Sequence, residues 1–298
     1  MYFKPIFLDF MIIVITGSES FIGKELILQL KTGNEIIGLD MVSNASDEYK
    51  FHQADIRNPN IEELIPMNAD VLIHLAALSR DPDCKGKSYE CFDINVMGTL
   101  NLIRAAKEKN VQQFIFASSE WVYNEFKEGE IKDEESFIDI SKHTSEYALS
   151  KLVSESNLRQ INQQGFKNIT VLRFGIVYGP RKNSMSAVES IFNTVKTQSE
   201  IKVGSLKNGR RFVHVTDIAR GIVKSIGLKG FHIINLTSEK VITLNEIIQK
   251  SQKILNKSVK ITETNPENIN IRNPSNEKAK KIIGWNAEIN IENGLKTL

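Results

Sequence analysis

Regular structure begins with IIVITGSESFIG, Ile12–Gly23. Its first four residues are a short, continuous apolar run, the pattern of a strand buried on both faces of a parallel sheet. Gly17 then permits a tight turn, and Gly23 permits a helix to pack closely against the strand. Lys24–Lys31 continues that helix, with Leu26, Ile27 and Leu30 at helical spacing. A helix started by such a turn presents its first N–H groups and its positive dipole end to a pyrophosphate. Ser20 stands where the usual fingerprint carries its middle glycine. Glu35–Leu39 reads as the second strand and ends in Asp40. A carboxylate at that place hydrogen-bonds the adenosine ribose hydroxyls and repels a 2′-phosphate, which favours NAD over NADP.

Outward from this unit, strands and helices alternate. Gln53–Ile56 reads as the end of a third strand. Asp70–Leu75, Phe114–Ser118 and Ile169–Phe174 read as further strands, with helices over 88–109 and 144–164. This alternation predicts an α/β fold with a doubly wound parallel sheet. Its ligands bind beyond the carboxyl ends of the strands. After Tyr178-Gly179-Pro180 the composition changes. Helical stretches fit 185–199, 216–227, 243–255 and 275–283, Phe231–Leu236 reads as a strand and 262–276 as a loop. The expected division is a dinucleotide-binding domain over 11–175, to which later segments return, and a smaller lobe over 176–298.

The chain has 298 residues, and 38 Lys and Arg stand against 36 Asp and Glu. Near-zero net charge gives no global field for nucleic acid. Two cysteines, Cys84 and Cys91, form neither a disulfide framework nor a metal-ligand cluster. Pro5 and Asp9 interrupt the apolar start, so residues 1–10 read as a short dispensable addition, with no secretory signal and no membrane span. A cytoplasmic protein is expected.

The segments Thr16–Gly23, Asp55-Ile56, His74–Ala77, Asn95–Thr99, Ser118-Ser119 with Val122-Tyr123, Tyr147–Lys151, Leu172-Arg173, Tyr178–Pro180, Phe212–Val215 with Asp217, and Gly284-Trp285 follow in this order. In that order the chain resembles the extended short-chain dehydrogenase/reductases, specifically the NAD-dependent nucleotide-sugar epimerase/dehydratase group. The resemblance implies a Rossmann-type sheet with a smaller C-terminal substrate-binding lobe. It implies that Gly17, Ser20, Phe21, Ile22 and Gly23 hold the cofactor together with Asp40. Asp55 and Ile56 would flank the adenine, and Leu75, Ala76 and Ala77 would line the phosphates and ribose. Asn95 would lie near the active-site backbone.

Tyr147 and Lys151 are four apart on an expected helix and share one face. A tyrosine base needs help, because phenol titrates near ~10. Lys151 and the positive nicotinamide would supply it, and Lys151 would also hold the nicotinamide ribose. By the family spacing to Val122, the hydroxyl that holds the reacting sugar belongs to Ser119 rather than Ser118. A dehydratase of this kind carries an Asp–Glu pair next. Here Glu120 stands first, a candidate acid, and Trp121 second. A decarboxylase carries Glu immediately before the Val, again where Trp121 stands. Trp121 either stacks on the sugar or packs under the Val122-Tyr123 turn.

The resemblance further implies Ser79, Arg181, Arg210 and Arg272 as substrate contacts. Arg210 precedes the Phe212–Val215 stretch, where a guanidinium would reach a nucleotide diphosphate. Its neighbour, usually Asp, is Arg211. The second diphosphate arginine falls in register at Asn265, with Arg272 nearby. His214 reads as a buried structural histidine. The expectation is an NAD-dependent epimerase of a nucleotide-linked hexose, working through transient oxidation at the 4-position, as a homodimer on the helices around Asn95–Lys107 and Tyr147. A reductase, a dehydrogenase or a dehydratase, and a non-catalytic dinucleotide-binding protein, are the alternatives.

Overall fold

A computed structural model describes residues 10–43, 47–181 and 186–298. The expected N-terminal addition, Phe10 excepted, lies outside the described residues. In chain order the elements run β1 (Ile12–Thr16), α1 (Phe21–Leu30), β2 (Glu35–Asp40), β3 (Lys50–Gln53), β4 (Val71–His74), α2 (Asp81–Cys84) and α3 (Ser88–Phe92). A π-helical turn, Asp93–Met97, leads into α4 (Gly98–Glu108), then β5 (Phe114–Ser119), α5 (Glu146–Gln163), β6 (Ile169–Phe174), β7 (Ile176–Tyr178), α6 (Ala187–Thr197) and β8 (Glu200–Val203). β9 (Gly209–Arg210), β10 (Phe212–His214), α7 (Val215–Ser225), β11 (Phe231–Leu236), β12 (Ile242–Thr243), α8 (Leu244–Leu255), β13 (Lys260–Glu263), α9 (Glu277–Ile283) and α10 (Ile291–Leu295) follow.

Seven strands form one sheet in the order β11-β6-β5-β4-β1-β2-β3. β1 pairs in parallel with β2 on one side and β4 on the other, so the winding reverses there. Such a reversal opens a crevice at the carboxyl ends of the two strands, where doubly wound sheets bind ligands. Ile13, Val14 and Ile15 are fully buried, as a strand covered on both faces requires.

The chain divides into two compact units. The first takes the described residues up to Ser118 with His143–Val171 and Ser225–His232; the second takes Ser119–Lys142, Leu172–Lys224 and Ile233–Leu298. The chain thus passes between the units several times. In the first, the helix expected over 88–109 is interrupted by the π-helical turn. There the Asn95 carbonyl accepts from Thr99 Oγ1 at 2.6 Å and Ser154 Oγ at 3.0 Å. Turns of this kind recur at functional sites.

In the second unit, α6 and α8 each begin with a capping box, Ser186 with Glu189 and Thr243 with Glu246. Their apolar faces, Val188, Ile191, Phe192 and Val195 from α6 and Ile247 and Ile248 from α8, share a core with Tyr178 and Leu295. β8 pairs with β13, β7 with β10 and β9 with β12. β13 takes the first two residues of the expected loop over 262–276. Trp285 Nε1 donates to the Asp217 carbonyl at 2.9 Å, and the Asp217 carboxylate accepts the N–H groups of Glu288 and Ile289. Among the described residues no helix is long and apolar enough to cross a membrane.

Candidate active site

Gly17 has φ 73 and donates its N–H to the Leu39 carbonyl at 2.8 Å. A Cβ on it would stand 2.7 Å from the Ala76 nitrogen, and one on Gly23 would stand 2.2 Å from the Gly17 carbonyl oxygen. The turn, the start of α1 and the loop after β4 therefore meet without room for a side chain. Ser20 has φ −67 and caps α1, its hydroxyl accepting the Gly23 N–H at 3.1 Å. The missing middle glycine is thus a capping residue with ordinary backbone. Phe21 and Ile22 follow in the first turn, both half-buried.

Asp40 ends β2 with Oδ2 accepting the Glu19 N–H at 2.9 Å and Oδ1 accepting the Val42 N–H at 3.0 Å. These bonds fix the carboxylate beside the turn. Asp55 is gripped by the Arg57 guanidinium, which also reaches Asp93 at 2.8 Å. The Arg57 hydrogen bonds hold the Asp55 carboxyl below its ordinary range against the effect of burial. Ile56 is buried against Gly98. Leu75, Ala76 and Ala77 are half-buried, and Ser79 is exposed in the same loop. A glycine turn against a helix start, with a fixed strand-end carboxylate, fits a dinucleotide, and its carboxylate fits NAD.

Tyr147 and Lys151 lie on the buried side of α5, at 8% and 3% exposure. Ser145 caps this helix, its hydroxyl accepting the Ala148 N–H. Lys151 Nζ donates to the Ala117 carbonyl at 2.8 Å and stands 4.7 Å from the Phe116 ring centroid. Burial draws its pKa down to about 8, opposed by Cys91, Cys84 and Glu155. Ser118 donates its hydroxyl to Glu155 and is committed to the core. Ser119, the last residue of β5, accepts the Trp121 N–H at 3.3 Å and caps the 3-10 turn Glu120–Tyr123. Asn95 was expected near the active-site backbone. It grips Leu78 through both main-chain groups, at 2.8 and 3.0 Å, and donates to Ser150 Oγ on α5 at 3.0 Å.

Within the second unit, Glu120 and Arg272 come together with Trp121. Glu120 is fully buried, with Oε1 3.3 Å from Arg272 Nε. Burial raises the Glu120 pKa, while Arg272, Arg210 and Arg211 oppose it. Arg272 donates to the Asn124 and Glu120 carbonyls, and its guanidinium lies 5.1 Å from the Trp121 ring and 5.2 Å from the Phe126 ring. Arg272, read from the sequence as a substrate contact, is thus spent on the turn after Ser119. Glu120, read as an acid, is its counter-ion. A buried cation needs carbonyls and an anion, and both come from one turn.

Arg210 donates to the Gly209 and Asn270 carbonyls at 2.8 and 2.7 Å, and burial lowers its pKa to about 10. Arg211 donates to Asn273 Oδ1 at 2.6 Å and to the Ser238 carbonyl at 2.9 Å, so its charge serves the neighbouring loops. Arg181 pairs with Glu189 at 2.8 Å. Asn265, in the arginine register, donates its backbone N–H to Gly204. His214 is buried, with Nδ1 accepting the Thr216 N–H. The Glu120–Arg272 pair is the feature missed in the sequence. Its one local signal was the out-of-register arginine.

A family model for the NAD dependent epimerase/dehydratase family matches residues 13–236. A UDP-glucuronate 4-epimerase from Thermodesulfobacterium geofontis is 28% identical over 305 residues, spanning 95% of this chain and 93% of that protein. A UDP-glucose 4-epimerase from Haemophilus influenzae is 26% identical over 322 residues, spanning 95% and 94%. The solved structure of UDP-glucose 4-epimerase from Bifidobacterium longum in complex with NAD+ and UDP is 25% identical, superposes with a TM-score of 0.82 and covers 96% of each chain. With its switch point, glycine turn and Tyr147–Lys151 pair in the family's order, this chain belongs to the NAD-dependent epimerase/dehydratase family.

Proposed function

We propose that the protein is an NAD-dependent 4-epimerase of a UDP-linked hexose. The observation that carries this reading is the buried Tyr147–Lys151 pair on α5, with Lys151 anchored on the Ala117 carbonyl of β5. The family and the UDP-sugar 4-epimerases among its relatives support it. NAD, when bound, supplies a reversible hydride acceptor for the sugar carbon. Tyr147 takes the proton of the 4-hydroxyl as that carbon becomes a ketone and returns it when the ketone is reduced on its other face. The charge of Lys151 favours the phenolate, and its ammonium is the group that holds the nicotinamide ribose. Ser119 donates its hydroxyl to the reacting oxygen. Arg210 is assigned to the diphosphate, while Arg272 and Glu120 hold the turn that carries Ser119.

Dehydration and decarboxylation are disfavoured by the same turn. The first position after Ser119 holds a buried counter-ion, and the second holds Trp121 in place of a carboxylate. The reading includes a homodimer on α4 and α5. There Leu100, Leu149 and Val153 are only partly buried, while Ile103 and Leu152 face the core. It also includes a cytoplasmic location, where NAD and nucleotide-sugar pools meet, and supply of epimerised sugar to surface polysaccharides.

The test is turnover of UDP-, dTDP-, GDP- and CDP-hexoses in deuterated water, with products read by NMR. The expected product is inverted at C4, carries no solvent deuterium on carbon and leaves NAD unconsumed. Deuterium at a neighbouring carbon overturns 4-epimerisation. Tyr147→Phe keeps the ring and loses the hydroxyl, so turnover is expected to fall by roughly 10²-fold or more with folding intact.

A further inference from the structure

His74 ends β4 at 1% exposure. Its Nδ1 lies 2.8 Å from Thr16 Oγ1, at the end of β1, and its Nε2 lies 2.9 Å from Thr99 Oγ1, in the first turn of α4. Proton counting sets the direction of each bond, since a hydroxyl has one proton to give. Thr99 gives its proton to the Asn95 carbonyl at 2.6 Å. Toward His74 it can only accept, so Nε2 carries the ring proton. Burial, with the charge of Lys151 nearby, holds the imidazole well below its ordinary pKa, so the ring is neutral and Nδ1 is bare. Nδ1 therefore accepts from Thr16, whose oxygen faces the Ala76 N–H at 3.4 Å.

The line continues past Thr99. The Asn95 side chain donates to Ser150 Oγ, and Ser150 donates to the Tyr147 carbonyl at 2.8 Å. We infer that His74 is a positioning residue: hydrogen bonds directed through it join the cofactor-side turns, Thr16 and Ala76, to the Asn95 carbonyl, and the Asn95 side chain carries the link on to the Tyr147 helix. The inference rests on the reading of Tyr147 and of the β1–α1 turn given above. In this arrangement each hydroxyl gives its one proton to an acceptor, Thr99 to the Asn95 carbonyl and Thr16 to Nδ1, and this holds the imidazole in one tautomer.

Two substitutions divide the chain at its centre. In His74→Asn, Oδ1 keeps an acceptor for Thr16, but no atom reaches Thr99. In His74→Gln, the amide N–H reaches Thr99, but no acceptor stands where Nδ1 stood. His74→Asn is expected to keep the NAD dissociation constant within about twofold and to lower kcat about tenfold at unchanged KM, the scale of one lost buried hydrogen bond. His74→Gln is expected to weaken NAD about tenfold and to keep kcat at saturating NAD. Equal effects of both variants on both quantities, or no effect of either, overturn the inference.

Nitrogen-15 NMR of the wild-type ring gives a readout that needs no variant to fold. A protonated Nε2 and bare Nδ1, unchanged from about pH 5.5 to 8.5, are expected where an unperturbed histidine titrates. A protonated Nδ1, or titration in that range, overturns it. Should the wild-type protein turn over no sugar, the proposed function fails, while NAD affinity and the ring spectrum still decide the role of His74.

Discussion

With 3% of its surface exposed, Lys151 exchanges hydration for the Ala117 carbonyl, and burial draws its pKa from 10.5 to about 8. The sign of the consequence is fixed by linkage. Between about pH 8 and 10.5 the unfolded chain holds a proton that the folded chain has lost, so the Lys151 contribution to stability rises with pH across that window. Denaturant midpoints measured across it are expected to rise for wild type relative to Lys151→Met. Parallel curves for the two proteins would contradict this. A second prediction concerns Asp40, whose two oxygens are fixed by the Glu19 and Val42 N–H groups. That carboxylate cannot swing away from a 2′-phosphate. NAD is expected to bind at least about tenfold tighter than NADP, or about 1.4 kcal/mol. Titration with both cofactors checks it, and Asp40→Asn should narrow the gap.

At the scale of the element, α1 tests what replaces a fingerprint glycine. Ser20 satisfies the Gly23 N–H, one of the orphan donors of the helix start. Ser20→Ala removes that cap and is expected to cost about 1 kcal/mol, whereas Ser20→Gly should cost only a few tenths. Thermal melts of the three proteins give the order. The interrupted helix over 88–108 belongs to the same scale. At the interruption Thr99 and Ser154 donate to the Asn95 carbonyl, and the Asn95 side chain grips Leu78. The periodicity of the stretch shows a helix. The π-helical turn coincides with bonds that no periodicity shows, from Ser154 on α5 and to Leu78.

The whole molecule is expected to assemble through its exposed apolar groups. Among the described residues Met97 is 57% exposed and Tyr89 86% exposed, and Leu100 of α4 is partly buried. Apolar groups so placed on helices that also pack on the sheet are suited to a two-fold, self-complementary contact. A homodimer is expected by light scattering at micromolar concentration, and Leu149→Glu on α5 should shift it toward monomer. A wild-type monomer would reject the contact.

The amino-acid order sufficed for whatever depends on near neighbours. Gly17, Ser20, Gly23 and Asp40 were legible because a strand, a turn and a helix set their places within one βαβ unit. Tyr147 and Lys151 were legible because four residues make one helical face. The doubly wound sheet followed from the alternation of apolar runs with helical spacing. Folding was needed for pairings between distant residues, which leave no periodicity to read. Arg272 donates to the Glu120 carbonyl from 152 positions away, and this contact makes both residues struts of the turn after Ser119. The short pairs β8–β13 and β9–β12, and the several passages of the chain between its two units, are settled the same way. A buried charge or a short strand is stabilised only by the partner that folding brings to it.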